Sequence, residues 1–189
     1  MALQVVVAHN AAEQCLRPRE SSKIGREMHP IYDRLLVDVR AACEAHYGSR
    51  LTALAVFGSV GRGTPQPDSD VDLLLVVDGL PDGRMPRMAE FERIETAVEP
   101  RLIEAGRAGL HPSLSPAIKT PAEVQAGSPL LLDMTEDARI LLDREGFLAR
   151  ALADFSARLA RLGARRIWRG NAWYWDLKPD YKPGEVFEI

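Results

Sequence analysis

The sequence predicts an α/β protein in which helices pack on a small mixed β-sheet. Two apolar runs, Leu51–Phe57 and Val71–Val77, are rich in aliphatic residues and bounded by turn formers, which is typical of buried strands. Segments with an apolar residue at every third or fourth position stand before and after this pair, as in helices with one buried face. This alternation of strand and helix patterns favours a layered α/β sandwich.

The N-terminal half supplies two predicted helices around the strand pair. Residues 1–27 form an arm of uncertain structure, and a helix is expected over 29–47, where apolar residues recur every four positions. Residues 79–87 are expected to form a loop before the second helix. Pro100 should kink or break that helix, because proline lacks the N–H that an interior helical position donates.

The C-terminal half continues the alternation. Residues 109–120 hold two prolines, which predicts an extended strand at an edge of the sheet. Thr120-Pro-Ala-Glu123 is a capping-box pattern and should begin a short helix. A further apolar element follows Pro129, a short strand is expected at 138–143, and a helix is expected at 147–162, with Gly163 after its end.

The last segment, 165–189, contains all three tryptophans and two of the four tyrosines. Gly170-Asn171 indicates a hairpin turn between two aromatic stretches. Arginines interleaved with aromatic residues can bind single-stranded nucleic acid by stacking and charge. The net charge of -3 favours the alternative, in which the aromatics pack on the sheet and the arginines form a solvated face. The predicted domains are therefore the arm at 1–27, a core at 28–145, and a helix and tail at 146–189 packed on that core.

The loop between the first two strands carries the candidate chemistry. Three glycines are followed by three aspartates: Gly58, Gly61 and Gly63, then Asp68, Asp70 and Asp72. Glycine permits positive φ and close approach of a ligand, and successive N–H groups in such a turn form an anion site. The Ser59 hydroxyl can donate to a phosphate oxygen, and the Arg62 guanidinium can pair with phosphate. The loop therefore predicts a phosphate site.

Asp70 and Asp72 stand two residues apart at the start of a strand, so both side chains should point to one face of the sheet. Two neighbouring carboxylates repel each other unless a cation lies between them, and Mg²⁺ suits such oxygen ligands shared with substrate phosphates. A phosphate site beside this pair indicates metal-assisted phosphoryl or nucleotidyl transfer. The glycine order excludes the dinucleotide-binding pattern, and the lack of a following Gly-Lys-Ser/Thr excludes a P-loop.

Gly58-Ser59, ten residues and then Asp70-x-Asp72 resemble the signature of the DNA polymerase β-like nucleotidyltransferase superfamily, in particular its minimal, antitoxin-like members. The resemblance implies a nucleoside triphosphate substrate, with ATP as the expected nucleotide, and Mg²⁺, or alternatively Mn²⁺, on Asp70 and Asp72. These two aspartates are the candidate catalytic and metal-binding residues. The candidate nucleotide-binding residues are Gly58, Ser59, Gly61, Arg62 and Ser69. Lys178 or Lys182 of the tail could also reach the phosphates.

The resemblance implies transfer of a nucleoside monophosphate to a hydroxyl of a macromolecular acceptor, either a protein such as a HEPN-family toxin or an RNA. The alternative is a weakly active or inactive nucleotide-binding module that acts through a partner. Family members usually carry a third acid on a later strand, but residues 111–118 contain none. Asp133 or Asp143 could fill this position, and spacing does not choose between them. Otherwise these two acids, Glu136 and Asp137 are expected to face solvent.

The composition is that of a soluble globular protein, with 46% hydrophobic and 27% charged residues. Cys15 and Cys43 lack metal-site spacing and are expected to be free thiols. No apolar run approaches the length of a membrane span, and the early LQVVVA run is too short for a signal sequence. We therefore expect a cytoplasmic protein without a membrane partner, and the sequence leaves a homo-oligomer open.

Overall fold

The computed structural model describes residues 29–170 and 172–187, so the predicted arm and Cys15 lie outside the described residues. Helices and strands alternate along the described chain as the sequence predicts. In order they are α1 (Pro30–Tyr47), β1 (Leu51–Phe57), α2 (Gly58–Gly61), β2 (Val71–Val77), α3 (Arg84–Arg107), β3 (Leu114–Lys119), α4 (Pro121–Gln125), α5 (Leu130–Asp137), β4 (Arg139–Asp143), α6 (Phe147–Arg161), β5 (Arg165–Arg169) and β6 (Ala172–Asp176).

Four strands form a mixed sheet in the order β3-β2-β1-β4, which confirms the predicted fold class. β1 pairs antiparallel with β2 and with β4, whereas β2 and β3 are parallel. β3 lies at an edge of the sheet and contains Pro116. Proline is tolerated there because its missing N–H does not interrupt the hydrogen bonds between two central strands. The short helix α4 follows directly, with the capping box between Thr120 and Glu123 formed as predicted.

Helices cover both faces of the sheet, and the alternation of side chains along β2 shows which helices cover which face. Leu73 and Leu75 belong to the core beneath α1 and α3. Leu74 and Val76 belong to the core beneath α4, α5 and α6. Because side chains two apart on a strand share a face, Asp72 lies on the side of Leu74 and Val76. The candidate site is therefore on the face that α5 covers.

The second helix differs from the prediction in two respects. α3 begins at Arg84, inside the segment expected to be a loop, and it continues through Pro100 to Arg107 without a break. Its buried residues lie on both sides of the proline and pack against the same core: Phe91, Ile94, Val98 and Ala105. Packing of this whole stripe offsets the hydrogen bond that Pro100 cannot donate, so of the two outcomes expected at Pro100, a kink or a break, the break does not occur.

The tail forms the predicted hairpin, which we call the C-terminal hairpin: β5 and β6 pair antiparallel from Arg165↔Asp176 to Arg169↔Ala172. It packs on the α5 and α6 side of the molecule. Leu177, just after β6, is buried in the core beneath α4, α5 and α6, and Trp175 packs against the same core. Within the described part of the chain, no helix is long and apolar enough to cross a membrane.

Candidate nucleotide site

The glycine loop and the aspartate pair are in direct contact. β1 leads into α2, a single helical turn that starts at Gly58 with φ of +64°. Phe57, the last residue of β1, pairs with Asp72 of β2, so the loop starts beside that carboxylate. A Cβ at Gly58 would lie 2.2 Å from Asp72 Oδ2, a distance that real Cβ atoms do not adopt. Glycine is therefore required here both for its backbone conformation and for the space that Asp72 occupies.

We expect Gly58→Ala to displace the Asp72 side chain, to destabilise the fold by roughly 1–3 kcal/mol and to weaken the Mg²⁺ and ATP binding that the sequence predicts. Gly63→Ala is the matched control, since Gly63 also has a positive φ, +72°, but nothing lies within 4 Å of the position that a Cβ would take there. Thermal unfolding and calorimetric titration of both variants separate backbone strain from the contact with Asp72. Equal nucleotide affinities in the two variants would contradict this interpretation.

The loop, the aspartate pair and parts of α5 and the C-terminal hairpin enclose a cleft of about 400 Å³. Five of the seven predicted site residues line this cleft, together with three further residues. The lining residues are Phe57, Gly58, Ser59, Arg62, Asp70, Asp72, Asp133 and Trp173. The structure thus brings the glycine loop and both candidate metal ligands to one cleft.

The other two predicted residues, Gly61 and Ser69, are not in the lining. A Cβ at Gly61 would lie 2.6 Å from the Asp137 carbonyl oxygen, so this glycine allows close packing of α2 against the end of α5. The Ser69 hydroxyl accepts the N–H of Gln66 at 2.8 Å and thereby shapes the loop that precedes the aspartates.

The electrostatics of the aspartate pair fit a bound cation. Burial raises the pKa of Asp72, the negative charge of Asp70 raises it further, and a hydrogen bond with Ser115 and the charge of Arg62 offset part of the rise. A cation between the carboxylates would relieve both the repulsion and the desolvation. In the described ranges, no cluster of three or more His, Cys, Asp or Glu side chains is arranged to hold a metal. Asp70 and Asp72 are the residues that would hold such a cation.

Serines occupy the part of β3 where the resemblance implies a third acid. Ser115 pairs with Asp72 across the parallel β2–β3 ladder. Ser113, just before the strand, donates its hydroxyl to Asp70. As the sequence indicates, this segment carries no third acid. Serine hydroxyl groups are there instead, and they form hydrogen bonds with the two candidate metal-binding carboxylates.

The structure distinguishes the two candidate replacements for the third acid. Asp143 lies before α6 and accepts the N–H groups of Leu148 and Ala149 at 2.9 and 3.0 Å, so it caps that helix. Asp133 lines the cleft, and its Oδ1 accepts the indole N–H groups of Trp173 and Trp175 at 2.8 and 2.9 Å. Neither side chain is the solvated turn residue expected from the sequence, and only Asp133 lies with the aspartate pair.

Asp137, one turn further along α5, is also not a solvated residue. It is 8% exposed and pairs with two arginines, Arg62 at 2.8 Å and Arg166 through both carboxylate oxygens at 3.0 and 2.8 Å. Burial raises the pKa of Asp137, but the hydrogen bonds from Arg166 and Arg62 outweigh it and hold the pKa below its ordinary value. The Arg166 side chain is 4% exposed, which corrects the expectation of a solvated face for this arginine, whereas Arg165 and Arg169 are exposed as expected.

Trp173 is a site residue that the sequence did not indicate. Its ring lies under the guanidinium groups of Arg62 and Arg166, at 4.5 and 4.1 Å from the ring centroid. The spacing of the residues contains a signal for this contact. Trp173 and Trp175 are two apart on a strand, and Asp133 and Asp137 are four apart on a helix, so the members of each pair share a face. Lys178, which was considered a phosphate ligand, instead pairs with Asp180 and Glu185 of the tail.

Residues 38–142 match the sequence profile of the nucleotidyltransferase domain, which is more than half of the chain. The chain therefore belongs to the nucleotidyltransferase domain family. The matched range contains the glycine loop, the aspartate pair, Asp133 and Asp137, and it ends before the C-terminal hairpin.

Two curated relatives are similar over large parts of this chain. A bifunctional uridylyltransferase/uridylyl-removing enzyme of Bordetella avium is 31% identical over 147 residues, or 77% of this chain but 15% of the relative. A Methanocaldococcus jannaschii protein named "putative protein adenylyltransferase" is 29% identical over 117 residues, or 61% of this chain and 74% of the relative. Among solved structures, a toxin–antitoxin crystal structure with AMP-PNP has a TM-score of 0.44 and 14% identity, with 68% of this chain and 92% of that chain covered.

Proposed function

We propose that this chain is a metal-dependent nucleotidyltransferase that moves a nucleoside monophosphate from a triphosphate, ATP first among them, to a hydroxyl of a macromolecular acceptor. The observation that carries the proposal is the single cleft that contains Gly58, Ser59, Asp70 and Asp72. A glycine loop and a serine hydroxyl suit phosphate, and two neighbouring carboxylates, one of them with a raised pKa, suit Mg²⁺. A cytoplasmic location, where both ligands are available, belongs to the same proposal.

Each group has one task in the proposed reaction. The loop at Gly58 and the Ser59 hydroxyl hold the triphosphate, while Asp70 and Asp72 hold Mg²⁺. When bound, this cation would neutralise negative charge on the phosphates. The acceptor hydroxyl oxygen forms a bond to the α-phosphorus, the bond from that phosphorus to the bridging oxygen breaks, and pyrophosphate leaves. Asp133 accepts the proton of the attacking hydroxyl, in place of the acid absent from β3.

A macromolecular acceptor is proposed because the described chain gives little surface to recognise a small one. The loop between β1 and β2 is short, and the chain after β2 is used for core helices, one edge strand and the hairpin. The name of the M. jannaschii relative, "putative protein adenylyltransferase", describes protein adenylylation for that protein, which favours a protein acceptor over RNA here. A HEPN-type partner is the protein acceptor that the resemblance implies.

Nucleotide binding should require Mg²⁺ and should be lost when Asp70→Ala and Asp72→Ala are combined. The two carboxylates are the only charged protein ligands proposed for the cation, so their removal leaves the phosphates without a bridge to the protein. Calorimetric titration of the wild type and the double variant with ATP and Mg²⁺ measures the difference, and far-UV circular dichroism checks that both are folded. If the double variant bound ATP with unchanged affinity, the metal site would have to be abandoned.

A nucleotide-binding module without transferase activity is the second candidate. The observation in its favour is Ser115, which stands opposite Asp72 where an acid would complete the usual set. In that case ATP and Mg²⁺ would bind at Asp70 and Asp72, but no labelled α-phosphate would move to a partner. Binding and transfer must therefore be measured separately on the same preparation.

A further inference from the structure

The C-terminal hairpin forms one wall of the cleft, although it lies outside the matched family range of 38–142. Its residue in the lining is Trp173, which faces a cleft that also contains Ser59 and Asp72. Phosphate groups explain the glycine loop, but they do not explain an indole. An aromatic wall suits the nucleoside part of a nucleotide, because every base has a flat π-face.

Trp173 is held rigidly. Its indole N–H donates to Asp133 at 2.8 Å, and the guanidinium groups of Arg62 and Arg166 lie against its ring. Both arginines are themselves fixed by the buried Asp137 carboxylate. A ring against which two guanidinium groups lie offers a fixed wall but little free surface for stacking a base.

Trp168 extends this wall outward from the cleft. It is the strand partner of Trp173 across the hairpin, and the two ring centroids are 4.9 Å apart. Trp168 lies on the same hairpin face as Trp173, yet it is 54% exposed. Arg166 lies 5.0 Å from its centroid, so the exposed ring is positioned by the same buried arginine. The result is an exposed indole that contacts Trp173 of the cleft lining.

We propose that the nucleoside of the bound triphosphate stacks on the indole of Trp168, with Trp173 as the inner wall of this subsite. The inference rests on the proposed function, which places the phosphates at Gly58 and Ser59. The nucleoside then extends from the phosphate-binding loop toward the aromatic side chains of the C-terminal hairpin. Because stacking uses the π-face of a base and no hydrogen-bonding edge, the subsite accepts all four nucleoside triphosphates with similar affinity.

The test compares a nucleotide with its phosphate part alone. Wild-type protein and the Trp168→Ala variant are titrated calorimetrically with ATP and with tripolyphosphate, each with Mg²⁺. ATP affinity should fall roughly 5- to 150-fold in the variant, the range found when a base loses an aromatic stacking partner, while tripolyphosphate affinity stays unchanged. Trp168→Phe should restore most of the ATP affinity. GTP, CTP and UTP should match ATP within a few-fold in the wild type.

Tyr174→Ala is the matched control. Tyr174 is the other exposed aromatic residue of the C-terminal hairpin, 44% exposed, and its place beside Ile167 in the strand pairing puts it on the opposite face from Trp168. This variant should bind ATP as the wild type does. The proposal is overturned if Trp168→Ala leaves ATP affinity unchanged, or if it weakens ATP and tripolyphosphate equally. If the wild type bound neither ligand, the proposed function would fail and the stacking subsite with it.

Discussion

Replacing Asp137 with alanine should lower the free energy of unfolding by about 3–5 kcal/mol, the usual cost of removing one partner from a buried ion pair. The reason is that Arg62 and Arg166 would both lose their buried counter-ion. The Arg166 side chain is 4% exposed and cannot turn to solvent without moving the C-terminal hairpin. Urea denaturation followed by circular dichroism measures the change.

Glu136→Ala is the matched control for this prediction. Glu136 also pairs with Arg166, at 3.0 Å, but its side chain is 51% exposed. Exposed ion pairs contribute at most about 1 kcal/mol, so this neighbouring variant should be nearly as stable as the wild type. Similar losses in the two variants would show that the buried cluster does not hold the hairpin.

The same carboxylate gives the stability a defined pH dependence. Because the pKa of Asp137 is lower in the folded protein than in the unfolded chain, its contribution is fully present above the unfolded value of about 4. It is lost as the pH falls from there through the folded pKa. The Asp137→Ala variant should therefore lose less stability than the wild type between neutral pH and strongly acidic pH.

Asp133→Asn should reduce nucleotidyl transfer by roughly 10²- to 10⁴-fold, the range expected for loss of a general base. The amide oxygen of asparagine can still accept the indole N–H groups of Trp173 and Trp175, so the cleft should keep its shape. ATP affinity should accordingly stay within a few-fold of the wild type. ATP labelled at the α-phosphate, incubated with a candidate HEPN-type partner protein, measures transfer to that partner, and free AMP measures transfer to water.

Asp143→Asn provides the comparison for that experiment, because Asp143 is the other candidate acid but caps α6 away from the cleft lining. It should retain transfer activity, with at most a modest loss of stability. Full activity in Asp133→Asn would remove Asp133 from the mechanism. If the wild type bound ATP but transferred labelled AMP neither to the partner nor to water, the binding-module alternative would replace the transferase proposal.

The local parts of the site could be predicted from the sequence. The spacing of Asp70 and Asp72 at the start of β2 predicts that they share a face, and both line the cleft. The glycines of the preceding turn indicate close packing, as Gly58 against Asp72 shows. The capping box at Thr120 likewise depends on residues three apart. These features are set by covalent geometry and hydrogen bonds over short distances along the chain.

The remaining parts depend on which elements meet across the sheet. Asp133 reaches the cleft because α5 covers the face of β2 that carries Asp72, and the tail reaches Asp133 because the C-terminal hairpin packs on α5. Neither fact is encoded in a local pattern, since an acid on a short helix is usually solvated. The intact helix at Pro100 is a similar case, where packing of a long apolar stripe overrides a local preference.

The hydrogen bonds from Trp173 and Trp175 to Asp133 connect β6 with α5, about 40 positions earlier in the chain. Inheritance of these residues should therefore be coupled. On the proposed mechanism, relatives with an acid at the position of Ser115 need no acid on α5 and should be free to lose the aromatic hairpin. Relatives with serine there should retain both tryptophans and Asp133 together, so the two solutions should divide the family into separate lineages.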